Sequence, residues 1–192
     1  MALKRLVCVK TSYDYKNLID GCLHNDRKCQ QELYDTFAPK MLAVCMRYAV
    51  TQHEAEDIMI EGFMKVFTHL GEFRQTCSLE FWIRQIMVNK AISNFRVNQK
   101  RYHHDVIDTD VEIADETADI ETTLTGRKII EIIQLMPDML RFVFNLRVFE
   151  EFSYKEIGQE LAISESNARV YFMRAKKWIT EKIKENIAKV EE

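Results

Sequence analysis

The sequence predicts an all-α protein, with two small helical domains joined by an acidic linker and a helix-turn-helix in the C-terminal one. Composition is the first reason. Of 192 residues only 5 are Gly and 2 are Pro, so turn formers are scarce, while Leu, Ile, Met, Glu, Lys and Gln fill long helix-favouring stretches. Periodicity is the second. Apolar residues recur at spacings of three and four from Asn17 to about Phe95 and again from about Arg127, the pattern of one buried helical face. The third is the gap between them. Asp105 to Glu121 holds eight acidic residues and no Lys or Arg, with too few large apolar groups to build a core. The domains are therefore expected at 1–101 and 125–192, with the linker at 102–124.

Asp26 is placed to cap a helix running through Leu33, Phe37, Met41, Val44 and Tyr48, which Pro39 should bend or split. A helix from about His53 to Leu70 repeats Ile60, Phe63, Phe67 and Leu70 on its apolar side and keeps Asp57, Glu61 and Lys65 on its polar side. Gly71 is its expected C-cap. The loop Glu72 to Ser78 leads into a third helix with Trp82, Ile86, Met87, Ile92 and Phe95. Beyond the acidic strip, Arg127 to Leu135 forms one helix, and Pro137 stands in the first turn of the next.

The most informative stretch is SYKEIGQELAISESNARVYFMRAKKW, Ser153 to Trp178. Ser153 and Glu156 form the reciprocal S-x-x-E capping box that starts a helix, and Ile157 and Leu161 share one face. After only Ala162 and Ile163, Ser164 caps a second helix whose inward stripe is Ala168, Phe172 and Ala175. Asn167, Arg169, Tyr171 and Arg174 are left on the outside. Two helices joined this closely cross steeply, so that the second can enter a major groove. Ala162 holds the turn position that needs positive φ, at a strain of about 1 kcal/mol.

A net charge of −3 argues at first against a polyanion partner. The distribution reverses that argument. Phe81 to Arg101 carries five basic residues and no acid, and Asn167 to Lys184 carries six basic residues and one acid; a polyanion feels local potential within about 8 Å. Five cysteines without a C-x-x-C pair argue against a disulfide framework and a structural zinc site. Cys22, His24 and Cys29 are neighbours in sequence and read as ordinary packed thiols rather than ligands. There is no G-x-S-x-G, P-loop or H-E-x-x-H pattern, which excludes the common enzyme classes, and no cofactor is expected. No window holds 18 uninterrupted apolar residues and MALKRLVCVK is too short an apolar run for a signal peptide, so a cytoplasmic protein is expected.

Three segments together carry a resemblance. AEDIMIEGFMKVFTHLGEFR (Ala55 to Arg74), LEFWIRQIMVNKAISNFR (Leu79 to Arg96) and MPDMLRFVFNLRVFEEFSYKEIGQELAISESNARVYFMRAKKWI (Met136 to Ile179) resemble, in this order, the core-polymerase helix, the promoter-melting and -10 helix, and the -35 domain of the extracytoplasmic-function (ECF) sigma factors of bacterial transcription. The resemblance implies core RNA polymerase and promoter DNA as partners, with no small-molecule substrate. It also implies an anti-sigma factor, in this family often membrane-bound.

By that resemblance Asp57, Glu61 and Met64 meet core polymerase. The loop Gln75, Thr76, Cys77, Ser78 together with Asn89 forms a pocket for an unstacked -10 base, while Arg84, Lys90, Arg96 and Lys100 supply charge to the single strand. Asn89 suits a base edge because its amide both donates and accepts; an outward polar residue is the other reading. In the -35 domain Ser166, Asn167 and Arg169 are candidates for base or groove contacts, and Lys155, Arg174 and Lys177 for phosphates. The rival reading is a stand-alone helix-turn-helix regulator whose N-terminal half senses a ligand or dimerises.

Overall fold

The computed structural model describes residues 15–101 and 126–188. Residues 1–14, 102–125 and 189–192 lie outside the described residues, and with them the acidic linker, Cys8, His103 and His104. The described elements are all helical: α1 (Lys16–Leu23), α2 (Arg27–Met46), α3 (Gln52–His69), a 3-10 turn (Leu70–Glu72), α4 (Leu79–Arg101), α5 (Gly126–Gln134), α6 (Asp138–Val148), α7 (Tyr154–Leu161) and α8 (Glu165–Ala188). By contact the chain divides into two compact units, Met1–Ile92 and Ser93–Glu192. The division falls inside α4, whose last turns group with the second unit.

In the first unit Asp26 caps α2, accepting from the Lys28 N–H at 2.8 Å. Thr51 caps α3, and Glu54 reaches back to the Val50 N–H at 2.8 Å. Leu33, Phe37, Met41, Val44 and Cys45 of α2 are buried with Ala55, Ile58, Met59, Phe63 and Val66 of α3 and Ile83, Met87, Val88 and Ala91 of α4. Gly62 allows α3 and α4 to approach, since a Cβ there would collide with the Met87 sulfur.

Three expectations are corrected here. Pro39 neither splits nor ends α2, which stays helical from Arg27 to Met46; Pro39 and Asp35 are both exposed, so water can serve the carbonyl that the missing N–H leaves open. Ile60 is not core but 51% exposed, because α3 turns the stripe Ile58, Met59, Phe63 and Val66 inward. Gly71 is not a left-handed cap: α3 tightens into the 3-10 turn, and the left-handed residue of the loop is Gln75, at φ 55°.

In the second unit α8 packs against α5, α6 and α7. Ile133, Met136, Phe144 and Ala175 form a buried cluster, with Phe172, Trp178 and Ile179 against it. Pro137 is the N-cap of α6, one place earlier than expected. Arg141 is 2% exposed. Its guanidinium donates to the carbonyls of Gln134 (3.1 Å) and Met136 (2.9 Å) and to the Asp138 carboxylate (2.6 Å), satisfying the open end of α5 from inside the core.

Candidate nucleic-acid interface

The helix-turn-helix is formed as its residues dictate. Ser153 accepts from the Glu156 N–H at 3.3 Å while Glu156 accepts from the Ser153 N–H at 2.7 Å, the full capping box. Ile157, Leu161, Ala168 and Ala175 have no exposed surface. Ala162 takes the left-handed conformation, φ 56° and ψ 40°. The turn then folds back so closely that a Cβ on Gly158 would lie 2.7 Å from the Ile163 carbonyl oxygen; glycine is required there by contact, not by φ. Ser164 accepts from the Asn167 N–H at 3.0 Å, and its hydroxyl meets that of Ser166 at 2.9 Å.

On this frame Ser166, Asn167, Arg169, Lys177 and, from α7, Lys155 are exposed, and Arg174 is half-buried. Arg169 is held in place. Its guanidinium donates to Glu165 at 2.6 Å and lies 4.7 Å from the centroid of the Tyr154 ring. The pairing of Tyr154 with Arg169 joins two helices and leaves no periodic trace in the sequence.

In the first unit Asp57, Glu61 and Met64 stand on one exposed side of α3, and Ile60 stands among them. Met64 is 66% exposed, and Asp57 faces His53 at 3.9 Å. Ile60 fits an inward stripe in the sequence, but its i, i+4 spacing from Met64 beside two acids fits the exposed side equally. Glu61 forms an ion pair with Lys90 of α4. Lys90 is thereby tied to the α3 acids, unlike Asn89, which is exposed one residue earlier.

The loop before α4 presents Gln75 and Thr76 to solvent, with Cys77 and Ser78 half-buried. The Ser78 hydroxyl accepts from the Phe81 N–H at 3.2 Å and starts α4. Phe73 and Trp82 pack at 5.4 Å across the base of this loop. Arg84 is half-buried. Arg96, within the second unit, donates to the Glu160 carboxylate at 2.9 Å and to the Gln159 carbonyl at 3.3 Å. Lys100 lies where no side chain is described. Among the described residues no group of His, Cys, Asp or Glu could hold a metal ion, and no helix is long and apolar enough to cross a membrane.

Comparison with known proteins decides what this pair of units is. Residues 33–101 match the family model of sigma-70 region 2, and residues 126–179 match that of sigma-70 region 4. The chain belongs to the ECF class of the sigma-70 family. It is 26% identical to the RNA polymerase sigma-H factor of Pseudomonas aeruginosa, over 85% of this chain and 91% of that protein. It is 24% identical to the ECF sigma factor SigW of Bacillus subtilis over 88% and 97%, and 25% identical to the ECF sigma-E factor of Escherichia coli over 86% and 92%. Among solved structures, the sigma factor RpoE of Bartonella quintana, in complex with the anti-sigma factor NepR, aligns with 80% of this chain and 96% of that one at TM-score 0.49 and 17% identity; no residue assignment rests on that likeness. As a sigma factor the chain binds core RNA polymerase and promoter DNA and directs transcription initiation. The rival reading as a stand-alone regulator is not favoured, since region 2 is the half such a regulator would lack.

Proposed function

We propose that this sigma factor divides its work among three surfaces. The exposed side of α3, with Asp57, Glu61, Met64 and Ile60, docks on core polymerase, apolar contact supplying area and the acids supplying orientation. The loop from Gln75 to Ser78 and Asn89 receives an unstacked -10 base, with Arg84 and Arg96 as charge for the strand and Lys90 acting chiefly on Glu61. The outer side of α8 reads the -35 element through Ser166, Asn167 and Arg169, with Lys155, Arg174 and Lys177 on phosphates. The domains, on this reading, are 1–101 and 125–192, joined by 102–124.

The observation that carries the proposal is the capping box that starts α7 and the left-handed Ala162 turn that ends it, so that α8 begins only three residues after α7 with Arg169 on its exposed side. The chemistry is binding alone, without a catalytic group or cofactor. Work on chromosomal promoters places the protein in the cytoplasm, and an anti-sigma factor that covers the α3 or α8 surface is the expected negative regulator. The test is reconstituted transcription with bacterial core polymerase on genomic DNA. Promoter-specific starts that need both proteins are expected, and starts should shift or vanish when Arg169, Asn89 or the loop from Gln75 to Ser78 is altered. Unchanged starts in those variants would overturn the residue assignments.

A further inference from the structure

Arg169 is held by more than its own helix. Glu165 takes one of its nitrogens at 2.6 Å, and the Tyr154 ring lies under its guanidinium at 4.7 Å. Tyr154 is the first residue of α7 and Arg169 belongs to α8, so this contact spans the two helices of the motif. The ring is itself fixed. Its centroid is 5.9 Å from that of Phe172, which packs on the core cluster. The Arg147 guanidinium lies 5.0 Å from the same ring and donates to the Phe152 carbonyl at 3.0 Å.

An arginine has much rotamer freedom to lose on docking, and one already seated loses less of it. Stacking of a guanidinium on an aromatic face supplies such a seat without using its donors. Five N–H groups radiate from the guanidinium, so a single acceptor such as Glu165 leaves others for a second partner. The Glu165 carboxylate also repels phosphates, which makes this position a poor backbone anchor and turns it toward a base edge.

We propose that Tyr154 is a positioning residue for sequence readout: its ring seats Arg169, with Glu165 steadying it, so that the free N–H groups meet a guanine in the major groove of the -35 element. Guanine follows from the chemistry. Arg169 carries only donors, and guanine is the base whose major-groove edge offers two adjacent acceptors, O6 and N7. The inference rests on the assignment of α8 to -35 reading and goes beyond it to a base and a supporting side chain.

The test uses the full-length protein with core polymerase and a pool of promoters. One promoter, first found by mapping starts with this holoenzyme, is prepared with its -35 hexamer randomised, and transcripts are sequenced. Wild type should favour guanine at one position by roughly tenfold or more. Arg169→Ala and Tyr154→Leu should both lose that preference there and keep the rest of the profile, whereas Tyr154→Phe, which retains the ring, should keep it. The preference is a ratio within one sample, so partial unfolding of a variant cancels. A guanine preference that survives Tyr154→Leu, or one that Tyr154→Phe loses equally, overturns the positioning role. A profile untouched by Arg169→Ala would instead remove Arg169 from base contact, and a flat wild-type profile would remove α8 from -35 reading.

Discussion

Lys90 on α4 forms an ion pair with Glu61 on α3, across the same helix contact that Gly62 and Met87 close. One acid of the proposed polymerase surface is therefore also a strut of the fold, while Asp57, one turn earlier, is not. Asp57→Lys should weaken core binding and leave the melting temperature nearly unchanged. Glu61→Lys should weaken binding and also cost about 1 kcal/mol of stability, because it sets two ammonium groups together. Adding Lys90→Glu to Glu61→Lys should restore the melting temperature but not the affinity. Thermal melts and a titration with core polymerase check this, and an unaltered melt for Glu61→Lys would mean that Lys90 is not engaged in solution.

Two small residues in the helix-turn-helix should respond with opposite signs. Ala162 is left-handed, so Ala162→Gly relieves strain of about 1 kcal/mol and should raise the melting temperature by about 4–8 °C for a domain of this size. Gly158 needs its missing side chain: Gly158→Ala drives a methyl against the Ile163 carbonyl oxygen and should cost about 1–3 kcal/mol. Equal and small effects from both changes would show that the turn relaxes freely.

What the sequence made legible was local. The Ser153 box, the strained Ala162 and the Asp26 and Ser164 caps each depend on a few consecutive residues, and all stand where their spacing put them. The failures came where two answers share one period. Ile60 and Met59 both fit a helical stripe with Phe63, and only the neighbouring helices decide that Met59 turns in. Gly71 suited a left-handed cap, yet the chain chose a tighter turn there. The pairs Lys90 with Glu61 and Tyr154 with Arg169 join different helices, so no helical period links the two partners. The assignment of exposed residues to polymerase or promoter came from family resemblance, because outward charges carry no signature of what they touch.

Arg141 supports α5 from within the core through three charge-assisted hydrogen bonds. Arg141→Leu should cost about 3 kcal/mol, since it strands the Gln134 and Met136 carbonyls away from water. Arg141→Lys should recover only part of that, because an ammonium cannot reproduce the planar fork. Urea denaturation of the two variants distinguishes these outcomes; a Leu variant as stable as wild type would mean the carbonyls find other donors.

Burial pushes the Cys45 thiol up to about 12, and burial with a lesser contribution from Cys29 pushes Cys22 to about 11. Both are neutral at pH 8, and the thiolate is the reactive form. Iodoacetamide at pH 8 should therefore leave Cys22 and Cys45 unmodified in the folded protein and label them in urea, as read by mass spectrometry, with Cys77 labelled early. Because the fold holds the protonated thiols, their stabilisation is complete below the ordinary thiol value of 9.0 and drains away as pH rises from there towards about 12. Rapid native labelling of Cys45 would refute the buried placement.

Among the described residues, five helix starts are written in their own side chains: Asp26, Thr51, Ser78, Ser153 and Ser164 each accept from an N–H two or three residues on. Several of the helix contacts also join neighbours in the chain, α1 with α2, α2 with α3, α6 with α7 and α7 with α8. Such a protein has little loop-closure entropy to overcome and should fold in microseconds to milliseconds. A ribosome adds only about 5–20 residues per second. Each unit can then be native almost as soon as its last helix has emerged, and the delay between a gene being switched on and its product being able to assemble is set by translation, not by folding.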